Sequence, residues 1–576
     1  MVASDDRKGA MNKPPDNYAF ATNRAASMRK VENLHGDARW MDADDLASSG
    51  LLDPTGILLG QTSDGRLLRF NRDGHVMVFA PTGAGKGVGF VQANLADYPG
   101  SVVVLDPKGE NAIVSANLRR RMGQRVIILD PFGRTGMQTD VYNPLGALNT
   151  VGKDRIGSII ENLAEALIPV AEAGAKVDPH WPMGAKKFAT FLMWWMVVHE
   201  PKERRNLLTM FHLAHAGYEP TRKLAEVMRR GLHPDRDIAE LCVSLGEWYI
   251  GRQPKELSYF ESQATNNLGW IGDFVWRNVL AGPPSPPLNL KDKDAPVTVY
   301  LVLPFDQINR YRPWLRIMVT DLLNCVYALP GGVKTPALFL MDEAYAGLGH
   351  MDIVFTAAAA VRSAGARLAL IYQDIEQAEK AYGKAWASLV NNAGVTLFWS
   401  VAPLDTSGQQ FISRACGHRT VPVPGQPTGA SQLLIRPEQV AQLPADEIVA
   451  FVSNRRPVRF GRLDVRRHPH FIENGRSKLD RNSTYDEYNS SKLKPVTPAA
   501  IDYVPIDLST ETGHRQTGAE WANDNRLATS ASMIDNDEAL FLEYLSHQHG
   551  KYVFKTADGR YGYVDDGGTF VPVDAR

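Results

Sequence analysis

Cysteine is scarce in this chain: 576 residues carry three, Cys242, Cys325 and Cys416. They lie far apart and form no Cys-x-x-Cys pair, which excludes a disulfide framework and a cysteine-ligated metal and leaves reduced core thiols as the expectation. An excess of one charge is missing as well. Lys and Arg number 63 against 64 Asp and Glu, for a net charge of −1, so no global basic field draws the chain to a polyanion and any such site must be local. Long apolar runs are also absent. The most lipid-like stretch, Phe188 to Val198, is about half of the ~20 residues a membrane-spanning helix needs and reads as a buried core helix. The segment Met1 to Lys30 lacks the apolar centre of a signal peptide, so a cytoplasmic protein is expected.

What the chain does contain is a glycine-rich turn. Ala80-Pro81-Thr82-Gly83-Ala84-Gly85-Lys86-Gly87-Val88-Gly89 follows the apolar run His75-Val76-Met77-Val78-Phe79 and reads as the passage from a buried strand into a phosphate-binding helix start. Small residues let successive backbone N–H groups curl around a polyphosphate, and Lys86 can reach the β and γ oxygens from the positive end of the helix. The expected nucleotide cradle is Thr82, Gly83, Ala84, Gly85, Lys86, Gly87 and Val88. Two positions depart from the general motif. Ala80 stands where its first glycine sits, and Gly87 stands where a Ser or Thr would place a hydroxyl on Mg²⁺.

Around this turn the chain alternates apolar β-branched runs with helical stretches, the pattern of a parallel sheet buried on both faces. Val76 to Phe79, Val102 to Asp106 and Val126 to Asp130 come first. Val297 to Val302, Ala337 to Asp342, Leu368 to Tyr372 and Val395 to Trp399 resume the pattern after a gap. Within the gap, apolar residues recur at three and four spacing, which predicts an inserted all-helical domain. The expected division is an N-terminal arm over 1–50, a first sheet part over 51–149 opening with a small hairpin, the all-α domain over 150–284, a second sheet part over 285–465, and a polar, flexible tail over 466–576. Within that tail a short helix at Ala539 to Gln548 and a hairpin around Asp558-Gly559 are expected.

Asp342-Glu343 supplies the second half of the chemistry. The run Leu338 to Met341 places Asp342 at the carboxyl end of a buried strand, where ligands bind in open α/β sheets. An acid capping the next helix would explain this pair in isolation, but a phosphate loop in the same sheet favours Asp342 as the Mg²⁺ ligand and Glu343 as the group that polarises the attacking water. Gln373, at the end of the next strand, is the candidate sensor of the γ-phosphate. Arg362, on the intervening helix, is the candidate arginine finger supplied to a neighbouring subunit. The turn Asp106-Pro107-Lys108-Gly109-Glu110 could line the same crevice. The histidines offer no metal set, since His212 and His215 share a helical stretch and His468 and His470 open the polar tail. Gly429-Ala430-Ser431-Gln432-Leu433 lacks the second glycine of a nucleophile elbow. Phosphoryl transfer to water is the chemistry that these residues support.

Taken together, His35-Gly36-Asp37-Ala38-Arg39-Trp40, the Ala80–Gly89 loop, Pro99 to Asn111, Leu340 to Ala344 and Arg362 to Gln373 make the chain resemble the type IV secretion coupling proteins. These are the TraG-like conjugative DNA transfer ATPases related to FtsK- and HerA-type motors. The resemblance covers roughly residues 35 to 465, and similar members also carry glycine after the loop lysine. It implies a RecA-like P-loop nucleotide-binding domain interrupted by an all-α domain, ATP and Mg²⁺ as cofactors, and a homo-hexamer at the cytoplasmic mouth of a secretion channel. It further implies Lys86, Asp342, Glu343, Arg362 and Gln373 as nucleotide-handling residues, single-stranded DNA with its relaxase as cargo, and the channel ATPase and inner-membrane components as partners. Many relatives begin with two transmembrane helices and none is visible here, so a peripheral position at the cytoplasmic face of the inner membrane is expected. A second reading is a nucleotide-gated docking receptor for protein cargo, and a third is a segregation translocase of the FtsK kind.

Overall fold

Eleven short runs, most of them rich in Val, Ile, Leu and Phe, assemble into one sheet in the computed structural model, which describes residues 34–169, 178–280, 287–329, 333–355, 365–423, 426–479, 554–555, 561–564 and 570–572. The chain divides into two compact units. One draws its described residues from Met1–Gln138 and Leu288–Lys492, the other from Thr139–Val170, Asp178–Pro287 and Leu493–Arg576.

The first unit contains β1 (Ile57–Gln61), β2 (Leu67–Phe70), β3 (His75–Phe79), β4 (Val102–Leu105), β5 (Arg125–Leu129), β6 (Val297–Leu301), β7 (Ala337–Met341), β8 (Ala366–Tyr372) and β9 (Ala393–Trp399). A separate hairpin of β10 (His418–Val423) and β11 (Gln426–Leu433) follows, then β12 (Glu447–Val452) and β13 (Val458–Gly461). The sheet order is β2-β1-β13-β12-β9-β3-β8-β7-β4-β6-β5. From β9 to β5 every pairing is parallel. These strands are the apolar runs expected from the sequence, and β3, β4, β7, β8 and β9 are buried along their whole length, as strands covered on both faces must be. β12, β13, β1 and β2 extend the sheet antiparallel.

Register brings the strand ends together. Phe79 pairs with Tyr372, Met341 with Leu370 and Leu105 with Met341. The residues one step further on, Ala80, Asp342 and Asp106, therefore emerge at the same edge. Ring stacking fixes the centre of that edge, with Phe79 5.0 Å from Phe398 and 6.0 Å from Tyr372 between ring centroids.

The second unit is built of helices, chiefly Lys153–Leu167, His180–His199, Leu207–Ala214, Tyr218–Arg229, Arg236–Ile250 and Pro254–Leu268. Its described residues between 139 and 280 hold no strand. The run Phe188 to Met196 is buried inside the second of these helices. The unit takes in the chain from Thr139, ahead of the expected 150, because Tyr142 N–H already donates to the Val279 carbonyl at 2.9 Å. No described helix is long and apolar enough to cross a membrane.

The start of the expected flexible tail departs from expectation over 466–479. Phe471 and Leu479 are buried in one cluster with Leu463 and Val465, and a two-stranded pairing of β14 (Ile472–Glu473) with β15 (Arg476–Ser477) closes the segment. A few apolar residues within a polar stretch suffice to dock it. Further on, β16 (Phe554–Lys555) pairs antiparallel with β17 (Tyr561–Val564), and β17 pairs with β18 (Phe570–Pro572), while the expected turn residues Asp558-Gly559 lie outside the described residues. The expected helix at Ala539 to Gln548 lies outside the described residues.

Arg119, on the helix Glu110–Arg121, is fully buried behind this sheet. It donates to the carbonyls of Leu95, Tyr98 and Gly100 and to Thr298 Oγ1, clamping the approach to β4. Burial pushes its pKa down to about 10. Arg119→Met keeps the stem but strips the Leu95 and Tyr98 carbonyls of their guanidinium donor and leaves Gly100 O only the longer bond from Gln124 Nε2, so a loss of about 3 kcal/mol is expected, read as a lower midpoint in urea unfolding. An unchanged midpoint would mean that water replaces the guanidinium.

Candidate nucleotide site

After Phe79 the backbone leaves the sheet as a tight loop. Ala80 N–H donates to Tyr372 O at 2.9 Å, and Ala84 N–H closes a turn onto Pro81 O at 3.2 Å. Gly83 and Gly85 hold φ of 84° and 87°, the left-handed region in which glycine carries no steric penalty. Ala80 is buried and has no positive φ, so its methyl is tolerated where the general motif has glycine. Lys86 leads into a single π-helical turn, Gly87–Val91, followed by the helix Gln92–Asp97. Such turns recur at functional sites. The Thr82 side chain is exposed, whereas Val88 packs against the apolar cluster that holds Leu58, Ala93 and Leu463 and offers the cradle only backbone.

Lys86 crosses the end of β8 to reach the acidic pair beyond β7. Its Nζ lies 2.5 Å from Glu343 Oε1 and 3.2 Å from Asp342 Oδ1. Gln373 Nε2 donates to Glu343 Oε2 at 3.0 Å, and Glu343 N–H donates to Asp342 Oδ1 at 3.0 Å. The Lys86, Asp342 and Glu343 side chains are 12%, 15% and 8% exposed, so the ion cluster works in a poorly solvated crevice. Burial alone would lower the Lys86 pKa, but the charges of Asp342 and Glu343 raise it above its ordinary value. Burial raises Asp342 against the pull of Lys86. Glu343 itself sits at φ 55°, ψ 46°, a left-handed conformation that costs a non-glycine residue about 1–3 kcal/mol and that clusters at functional sites.

Asp106 completes the floor. It is fully buried at the end of β4, accepting from Ala112 N–H at 2.9 Å and Asn111 Nδ2 at 3.2 Å. Burial pushes its carboxyl up to about 7 against these bonds, and the charge of Asp342 pushes the same way. Among the described residues, no group of three or more His, Cys, Asp and Glu side chains is placed to hold a metal ion alone.

The sequence candidates Lys86, Asp342, Glu343 and Gln373 thus form one contiguous cluster beside the loop. Arg362 lies outside the described residues. Sequence reasoning missed Arg462, just past β13, whose Nη1 donates to Ala84 O at 2.7 Å. No local motif marks it; only the antiparallel pairing of β12 and β13 brings it to the loop.

Comparison with known proteins bears on the family and the fold. The family described as "Type IV secretory system Conjugative DNA transfer" matches residues 39–478. The chain is 26% identical to the conjugal transfer protein TraG of Agrobacterium fabrum over 491 residues, covering 77% of this chain and 72% of that protein. It is 25% identical to the protein VirD4 of Rhizobium radiobacter, covering 74% of this chain but 63% of that relative. Among solved structures, the plasmid coupling protein TrwB in complex with ADP and Mg²⁺ shares the fold at a TM-score of 0.52 and 16% identity, over 76% of this chain and 96% of that one. The central sheet is therefore the RecA-like P-loop sheet of an α/β nucleotide-binding fold.

The raised Asp106 carboxyl sets a stability slope. Folded, it titrates near 7, against 3.8 ordinarily, so the native state binds the extra proton between those values and loses stability as pH rises through them. The slope amounts to at most roughly 1.4 kcal/mol per pH unit. Asp106→Asn is expected to flatten it, so that the wild type loses urea midpoint between pH 5 and pH 8 and the variant loses much less. Equal slopes would place the titration elsewhere.

Proposed function

The chain belongs to the type IV secretory system conjugative DNA transfer family, and on that basis we propose that it is a coupling ATPase that hydrolyses ATP to deliver relaxase-bound single-stranded DNA to a secretion channel. The observation that carries the reading is the cluster of Lys86, Asp342, Glu343 and Gln373 at the mouth of a phosphate loop. A cation clamped between two carboxylates has a partner to leave when a polyphosphate arrives.

The donor set fits a magnesium nucleotide. Gly83, Gly85 and Lys86 offer backbone N–H groups, Lys86 offers a mobile charge, and Asp342 offers a carboxylate at the strand end. Bound Mg²⁺ would neutralise charge on the phosphoryl oxygens, and phosphate oxygens and water would complete its shell. Lys86, drawn to the β and γ oxygens, releases Glu343, whose carboxylate then orients and polarises the attacking water. Gln373 keeps Glu343 aimed through the Oε2 contact and responds to its change of partner. Arg362, from a neighbouring subunit of a homo-hexamer, would compensate charge on the transferred group. The channel ATPase and inner-membrane components are the proposed partners, with the chain held peripherally at the cytoplasmic face.

ATP hydrolysis stimulated by single-stranded DNA is the expected outcome, with Lys86→Ala and Glu343→Gln lowering kcat by about 10²–10⁴-fold. Asp342→Ala should be as severe, and a mild loss there would mean that the metal is held elsewhere. Hydrolysis indifferent to DNA at every salt concentration would overturn the transfer reading. The rate per chain should also climb with protein concentration in the wild type, and Arg362→Ala should abolish activity without preventing assembly.

A further inference from the structure

The loop that cradles the nucleotide is held from the far end of the sheet. Arg462 follows β13, and its backbone is pinned on both sides: its N–H donates to Asp446 O at 2.7 Å, and its carbonyl accepts from Gln61 Nε2 at 3.0 Å. The side chain then reaches along the loop, where Nη1 donates to Ala84 O at 2.7 Å. The nearest atoms that a Cβ at Gly85 would meet are all from Arg462, the closest at 2.4 Å, so the guanidinium fills the space that glycine leaves open. One residue further, the carbonyl of Leu463 stands 2.7 Å from where a Cβ at Gly89 would sit. The antiparallel extension is thus seated directly on the loop and on the first turn of its helix.

A planar trans peptide makes this contact consequential. The Ala84 carbonyl and the Gly85 N–H belong to one peptide unit and point in opposite directions. Fixing the carbonyl on Arg462 aims the Gly85 N–H the other way, and that N–H is one of the donors a phosphate loop presents. We propose that Arg462 is a positioning residue of the nucleotide site, which sets the Ala84–Gly85 peptide so that the cradle is formed before the phosphates arrive. The proposal rests on the nucleotide-site reading above. The bond is charge-assisted and half-buried, so losing it frees the peptide to flip and the cost falls on affinity.

The test uses the full chain and Mg²⁺ with ADP, titrated by calorimetry, alongside steady-state ATP hydrolysis. Arg462→Met keeps the aliphatic stem packed against Gly89 while removing the donor. It is expected to weaken ADP binding and raise the KM for ATP about 10- to 100-fold, with kcat at saturating ATP within about threefold of wild type and the thermal midpoint unchanged. Arg462→Lys restores a single donor and should recover most of the affinity. Met binding ADP as tightly as wild type would overturn the proposal, and so would a loss that tracks the thermal midpoint in both variants, because Arg462 would then be a packing residue. A wild-type chain that binds no ADP would defeat the nucleotide-site reading itself.

Discussion

One poorly solvated cation shared by two largely buried carboxylates organises the site. Lys86 is fixed in place by the turn that follows β3, Asp342 and Glu343 by the end of β7, and β8 lies between those strands. The contact therefore exists only if three strands pair in parallel and in register. A shift of one residue in β7 would turn Asp342 from the crevice to the opposite face of the sheet, leaving Lys86 buried without charge compensation. The apolar length of these strands and the stacked rings of Phe79, Tyr372 and Phe398 secure that register. The energetics of the core and the chemistry of the edge are in this sense one constraint.

Much of this was legible because it is local. A run of apolar β-branched residues ending in Asp-Glu or in glycines specifies both a strand and what stands at its tip, so the seven parallel strands and the quartet Lys86, Asp342, Glu343 and Gln373 could be read from short windows. β12 and β13 were not read. Glu447–Val452 and Val458–Gly461 lie next to turns and a short helix, and nothing local says that they pair with β9 and β1 across long separations in the chain. Arg462 was invisible for the same reason. Its partner Ala84 is 378 residues away, and an arginine after a short strand has no signature of its own. Phe471 and Leu479 show the complementary failure, in which a polar average hides a few anchors that dock a segment.

The near-zero net charge is likewise a statement about averages. The site concentrates charge within a few ångströms: Asp342 and Glu343 share Lys86, and the buried Asp106 carboxyl feels the charge of Asp342. Burial pushes the Asp106 carboxyl up to about 7, so it tends to keep its proton toward neutrality, which relieves a third negative charge next to Asp342. Protonation at Asp106 and pairing at Lys86 are two ways of lowering the same repulsion. Under the proposed reading, the incoming anion draws Lys86 away only where another positive charge takes its place beside the acids, a charge that a metal carried by the phosphates would supply.

This bears on Gly87, where a serine or threonine hydroxyl would stand in the general motif. Its φ is not positive, and a Cβ there would meet nothing within 4 Å, so neither conformation nor space requires glycine. The contrast with Gly89, which Leu463 O and the Trp399 ring close off, is direct. A hydroxyl at 87 would add a neutral ligand, whereas the acids deprived of Lys86 need charge. Under the proposed reading, Asp342 serves both ends: its carboxylate would hold the metal that the missing hydroxyl would otherwise help to hold, and it gives up its pairing with Lys86 to do so. Release of Lys86 and capture of the metal are then a single exchange at one carboxylate, which ties readiness for hydrolysis to the arrival of the complete magnesium nucleotide.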